Sequence, residues 1–181
     1  MSDHRDQYNV LFLCTGNSAR SLLAEAYLNS LPGSLFRGFS AGSYPTGAPN
    51  ETALETLTAA GIPIAGLRSK SWDEFSDERA PQMNFIFTVC DNAAGEVCPV
   101  WPGHPASAHW PFEDPAAFVG PDVEKRAVFW HVFRQIKTRI DIFVNLPLAS
   151  LEGLALQREL DQIGAAPMDQ RDEMNQKNES A

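Results

Sequence analysis

Val10-Leu11-Phe12-Leu13-Cys14-Thr15-Gly16-Asn17-Ser18-Ala19-Arg20-Ser21 decides how this chain folds. Its apolar opening lacks polar alternation and reads as a central strand of a parallel sheet. Ser21-Leu22-Leu23-Ala24-Glu25-Ala26-Tyr27-Leu28 opens a helix. A tight loop joins the two. Strand, loop and helix in succession bring backbone N–H groups and a helix N-terminus onto one point, which suits an anion. A nucleophile, Cys14, stands at the loop entrance and a cation, Arg20, at its exit. Five residues lie between them, enough chain to wrap one tetrahedral oxyanion. Thr15, Gly16, Asn17, Ser18 and Ala19 form that cradle, and the planar fork of Arg20 matches two oxygens at once. The helix N-terminus and Arg20 favour thiolate over thiol, so Cys14 is expected to be partly ionised at neutral pH. Ser21 is placed to donate a hydrogen bond to that thiolate. A cysteine alone at a strand end would read as a small buried hydrophobe; the Gly, Asn, Ser and Arg around it argue for chemistry.

Outward from this stretch, strands alternate with helices. Strands are expected over Asn9–Leu13, Leu35–Ala41, Met83–Val89 and within Ala108–Phe112. The first helix should run to about Leu31, before Pro32-Gly33. Asn50 suits an N-cap for a second helix ending at Gly61. Ser71 to Phe75 reads as a short helix start. Asp122 to about Val144 reads as a long helix, with Val128, Val132, Phe133, Ile136, Ile140 and Phe143 on its apolar face. Ser150 to Ile163 reads as a last one, with Leu151, Leu154, Ala155 and Leu160 on one side. The pattern predicts a single α/β domain over 1–164, a four-stranded parallel sheet with helices on both faces, and a polar tail over 165–181. In such sheets ligands bind beyond the carboxyl ends of the strands. Cys14, Cys90 and Asp114 follow the first, third and fourth strands, so they can meet at one edge.

The chain has 181 residues and a formal net charge of −9, which argues against nucleic acid or an anionic membrane as partner. An acidic protein must hold an oxyanion with local dipoles and one or two cations. Three cysteines are too few for a disulfide scaffold, and no metal-ligand spacing appears. Met1 to Gln7 is polar, without the apolar core of a signal peptide, and no run reaches the length of a membrane span. The cytoplasm is the expected location, a reducing compartment where cysteines are more often catalytic than structural.

Cys14-x5-Arg20-Ser21 after a buried strand resembles the low-molecular-weight protein tyrosine phosphatase family. Leu13-Cys14-Thr15-Gly16-Asn17-Ser18, Arg20-Ser21 and Ala24-Glu25 look more like its arsenate reductase branch of the thioredoxin-coupled type. The likeness continues through Ser40-Ala41-Gly42, Ser69-Lys70-Ser71-Trp72, Cys90 and Phe112-Glu113-Asp114-Pro115. Many relatives carry a second cysteine inside the loop; this chain has Ala19. The resemblance implies a phosphatase-like fold and Asp114 as general acid to the departing oxygen, worth roughly 10²–10⁴ in rate. Pro115 favours an extended Asp114, able to aim its carboxyl at the cleft.

Two reactions use such an apparatus. A phosphatase hydrolyses a cysteinyl phosphate. An arsenate reductase forms a cysteinyl arsenate adduct that a second thiol attacks, and the resemblance implies a relay from Cys14 through Cys90 to Cys98. The Cys90–Cys98 spacing is one residue longer than the pattern of that group. No tightly bound cofactor is expected; an external thiol reductant is, either thioredoxin or glutathione with glutaredoxin. Phosphatases of this family carry tyrosines just past the Asp-Pro, where this chain has Ala116-Ala117-Phe118. Asn17, Glu25, Ser40 and Asp73 resemble positions that hold a structural potassium ion in some arsenate reductases. An oxyanion sensor on the same fold is the alternative outside enzymes, but it need not keep nucleophile, clamp and acid together.

Overall fold

A computed structural model describes residues 7–91 and 99–167. Val10 to Leu13 are fully buried within β1 (Tyr8–Cys14). On one side β1 pairs in parallel with β2 (Phe36–Gly42), and on the other with β3 (Phe85–Thr88). At the edge β4 (Ala106–His109) pairs in parallel with β3, so the four strands run in the order β2-β1-β3-β4. Strand order reverses between β1 and β3, and that switch point opens a crevice at their carboxyl ends. Cys14 closes β1, and Cys90 follows β3 after Val89. The topology alone therefore delivers two sulfurs to one crevice.

Local chemistry sets the helix ends. In α1 (Arg20–Ser30) the chain turns extended at Leu31, as a residue before proline prefers. Asn50 caps α2 (Glu51–Ala59) by accepting from the N–H groups of Thr52 at 2.9 Å and Ala53 at 3.2 Å, and Gly61 takes the left-handed conformation past its end. The short α3 (Asp73–Ser76) lays Phe75 against Leu11, Leu13 and Ile86 on one sheet face. α1, α2, the long α4 (Asp122–Val144) and α5 (Gly153–Ala165) cover the other, over Val10, Phe12, Phe85 and Phe87. Trp110 stacks on Phe87 at 3.7 Å, with Phe143 edge-on to both. Each such fully buried side chain stabilises the fold by about 1.5–3 kcal/mol.

Two elements differ from expectation. The last strand lies at Ala106–His109, earlier than Ala108–Phe112. Pro111 has no N–H to give a ladder and ends the strand. The chain still tracks β3, since Trp110 N–H reaches Thr88 O at 2.8 Å and Phe112 N–H reaches Val89 O at 3.2 Å. The last helix starts at Gly153, after a 3₁₀ turn at Leu148–Ser150. Its buried side carries Leu160, Ile163 and Gly164, whereas Leu154 is 78% exposed. Docking on β4 sets that face: the Trp110 indole donates to Leu160 O at 3.0 Å. Among the described residues no helix is long and apolar enough to cross a membrane. Most of the expected tail lies outside the described residues, and so does Cys98.

Candidate active site

The loop after β1 is held from outside by its carbonyls. Thr15 O accepts from Tyr44 N–H at 2.9 Å, Gly16 O from Thr46 N–H at 3.0 Å, and Ser18 O from Asn50 N–H at 2.8 Å. Ser69 Oγ adds a bond to Gly16 O at 3.1 Å. The amide of Asn17 turns the other way, its N–H donating to Cys14 Sγ at 3.1 Å. Asn17 has φ of 44°, a left-handed conformation that Asn tolerates better than most residues. The loop thus presents dipoles to the sulfur, as an anion site must.

Asn17 is fully buried, and its side chain has partners on both sides of the amide. Lys70 N–H donates to Oδ1 at 2.8 Å. That fixes the amide orientation, so Nδ2 faces Ser21 Oγ at 2.8 Å and Ser40 Oγ at 2.9 Å. With Asn17 as its donor, the Ser21 hydroxyl can turn its hydrogen to Cys14 Sγ, 2.8 Å away. The hydrogen bond expected between Ser21 and Cys14 is present.

The ionisation of Cys14 departs from expectation. Burial pushes its thiol above the usual cysteine value. The Ser21 hydroxyl pulls it down, the charge of Cys90 pushes it up again, and the N–H groups of Asn17 and Ser21 pull it down. Arg20 is not among the groups that set this value; its guanidinium is engaged by the acid loop. Its Nη1 donates to Phe112 O at 3.0 Å and its Nη2 lies 3.5 Å from Asp114 Oδ2. Since thiolate is the reactive form, alkylation of Cys14 by iodoacetamide, followed on its own peptide by mass spectrometry, will rise with pH from about pH 6 to about pH 9. Ser21→Ala will slow it about tenfold at neutral pH, the worth of one hydrogen bond to a charged group. A rate already level below pH 7, or an unchanged one in Ser21→Ala, would contradict this geometry.

Arg20 ties the anion loop to the acid loop. Asp114 is extended, as Pro115 requires, and one carboxylate oxygen accepts from Ala116 N–H at 3.1 Å while the other faces Arg20. Turn-capping and approach to the cleft are thus compatible roles. Cys90 is buried, with its Sγ 3.7 Å from Thr15 Oγ1. Cys14, Thr15, Asn17, Arg20, Ser21, Cys90 and Asp114 therefore meet in one crevice. Asn17, Glu25 and Ser40 also meet, since Ser40 Oγ donates to Glu25 Oε2 at 2.5 Å. No described contact brings the carboxylate of Asp73 to them.

Two buried cations near the site have contacts that no motif predicts. Lys70 is one. Arg139 is the other: its Nη1 donates to Pro111 O at 2.7 Å and its guanidinium lies 4.5 Å over the Phe112 ring. It fastens the acid loop to α4, and burial lowers its pKa to about 10. The available signal was an arginine in the apolar stripe between Ile136 and Phe143. His109 bonds Thr88 Oγ1 at 2.8 Å and Asp91 Oδ1 at 3.0 Å, steadying the residue after Cys90.

A parallel α/β sheet thus carries a buried cysteine that accepts from a loop N–H, with an arginine and an aspartate paired at the loop's exit. Residues 9–157 match the low molecular weight phosphotyrosine protein phosphatase family, and the chain belongs to it. An arsenate reductase of Halalkalibacterium halodurans is 37% identical over 136 residues, 75% of this chain and 94% of that protein. One of Bacillus subtilis is 34% identical over the same share of each. Among solved structures, an arsenate reductase from Archaeoglobus fulgidus is 28% identical with a TM-score of 0.55, over 73% of this chain and 98% of that one. A thioredoxin-dependent arsenate reductase of Corynebacterium glutamicum is 24% identical with a TM-score of 0.53. There the match spans 76% of this chain but only 62% of that one. That last likeness bears on the fold alone.

Proposed function

We propose that this protein reduces arsenate to arsenite with Cys14 as nucleophile and Cys90 as the second thiol. The observation that carries it is the placement of Cys90 against the anion loop, 3.7 Å from Thr15 Oγ1, in a chain 37% identical to an arsenate reductase. Loop N–H groups of Thr15 to Ala19 and the Arg20 guanidinium hold the oxyanion. Cys14 attacks arsenic, an As–S bond forms, and one As–O bond breaks. The departing hydroxyl takes a proton from Asp114 and leaves as water, and the Cys14 thiol proton restores the Asp114 acid. Cys90 then attacks Cys14 Sγ. The S–As pair of electrons stays on arsenic, the Cys90 thiol proton passes to an arsenite oxygen, arsenite departs, and the two sulfurs are joined as a Cys14–Cys90 disulfide. Cys98 in turn attacks that disulfide, freeing Cys14 and leaving Cys90–Cys98 for an external dithiol, for which thioredoxin is the favoured donor over glutathione with glutaredoxin. A relay of this kind suits the reducing cytoplasm, where cysteines are more often catalytic than structural.

Tyrosine phosphatase activity is the second reading, favoured by the Arg20–Asp114 arrangement, which serves either oxyanion. A short Ala116-Ala117-Phe118 stretch in place of tyrosines speaks for a small inorganic substrate. Measuring arsenite release with each thiol system, beside hydrolysis of an aryl phosphate, decides between them. Efficient thiol-dependent arsenite release with slow hydrolysis is expected; hydrolysis alone would leave a phosphatase. In either reaction Asp114→Asn will lower turnover roughly 10²–10⁴-fold, and a variant with wild-type turnover would remove Asp114 as the acid.

A further inference from the structure

Lys70 is a buried cation that none of these steps uses. Its side chain is 6% exposed. The ammonium Nζ donates to Arg68 O at 3.1 Å and to Ser40 Oγ at 3.2 Å, and lies 3.5 Å from Glu25 Oε2. Its backbone N–H holds Asn17 Oδ1 at 2.8 Å, and its carbonyl accepts from Gly42 N–H at 2.9 Å. One residue thus grips the anion loop through Asn17, the end of β2 through Gly42, and the buried carboxylate of α1 through its ammonium.

The residues suggested for a potassium ion do not fit one here. A hard cation collects several oxygens. The oxygens that converge are Glu25 Oε2, Ser40 Oγ and Arg68 O, and an ammonium already sits among them. Asn17 turns its nitrogen, not its oxygen, toward Ser40, because Lys70 N–H takes the oxygen. Among the described residues no contact joins the Asp73 carboxylate to these oxygens. One carboxylate, Glu25, is balanced by one cation, and a second positive charge would meet repulsion instead of a ligand set.

We infer that Lys70 is a positioning residue whose ammonium is the built-in cation of the anion loop, keeping the loop formed without potassium. The path is continuous: Lys70 Nζ and Asn17 Nδ2 both donate to Ser40 Oγ, and Asn17 also orients Ser21 toward Cys14 Sγ. Glu25, neutralised by Lys70, stays as the acceptor that fixes the Ser40 hydrogen. The inference rests on the anion-site half of the reading above and needs no arsenate in its test.

The test compares potassium chloride with choline chloride at equal ionic strength, reading thermal stability and the affinity for inorganic phosphate. Wild type is expected to give the same melting temperature and the same phosphate affinity in both salts. Lys70→Ala opens the cation place while leaving Glu25 and Ser40. In choline it should bind phosphate about tenfold more weakly, the usual cost of losing an outer support of a ligand site. Potassium or methylammonium should restore much of that loss in the variant and change nothing in wild type. Folding of the variant in potassium but not in choline would be the same result in stronger form. A wild type stabilised by potassium over choline would overturn the inference, and that arm needs no variant. A Lys70→Ala protein with wild-type phosphate affinity in choline would overturn it too, as would a loss that neither cation repairs. Should wild type bind no phosphate at all, the anion-site reading falls, and the melting comparison still decides Lys70.

Discussion

Cys90→Ser is expected to lower steady arsenite production at least about 10³-fold, the scale on which loss of an attacking group acts, while aryl phosphate hydrolysis stays within about threefold. The two reactions share their first step. Both need the anion loop, Arg20 and the Cys14 sulfur to form a cysteinyl adduct. They part at the second step, where water serves the phosphate adduct and a thiol must serve the arsenate adduct. Serine matches the size of cysteine, so a buried site is left packed. The substitution also removes a neighbour whose charge raises the Cys14 pKa. Cys14 should therefore become slightly more reactive, and a dead nucleophile cannot account for the loss. Cys98→Ser separates the later step: one arsenite per enzyme in a first turnover, then a stall with Cys14–Cys90 oxidised. Quantifying arsenite at early times and under steady turnover reads both. Unchanged steady arsenite production in Cys90→Ser would remove the relay.

The strand-loop-helix opening could be read because every level of the sequence agreed there. An unbroken apolar run demanded a two-faced strand, and a strand that ends in Cys14 before a helix at Arg20 leaves one place for the loop. Asn50 and Gly61 were equally plain, since their chemistry is local. What escaped reading depends on distance. Arg20 was expected to lower the Cys14 pKa, but the guanidinium is drawn to Phe112 O and Asp114, residues remote in sequence. The burial that holds the thiol high is also a property of the whole core. Ala106–His109 forms its strand with weak local preference because β3 offers a ladder and Pro111 ends it. Lys70 lies within Ser69-Lys70-Ser71-Trp72, yet its ammonium gains meaning only where Glu25, Ser40 and Asn17 surround it.

Gly42→Ala should damage both activities together, which Cys90→Ser should not. Gly42 pairs with Cys14 at the end of the β1–β2 ladder. A Cβ there would stand 2.4 Å from Thr15 O, 3.0 Å from Asn17 N and 3.1 Å from Asn17 Cβ. These are parts of the anion loop's own framework, so no flexible side chain can swing aside. Neither partner is free to retreat. Gly42 N–H is bound to Lys70 O at 2.9 Å, and Gly42 O accepts from Trp72 N–H at 3.0 Å. Thr15 O is bound to Tyr44 N–H, and Asn17 is held through Lys70, Ser21 and Ser40. Relief must come from a shift of the loop by about 1 Å, and a misplacement of that size costs roughly 10²-fold in rate. Overpacking adds about 1–3 kcal/mol of lost stability, which urea unfolding would measure beside turnover. Phosphate affinity should fall with turnover, because the same N–H groups bind the ground state and the transition state. A Gly42→Ala protein with wild-type turnover and affinity would mean that the loop yields where these contacts say it is clamped.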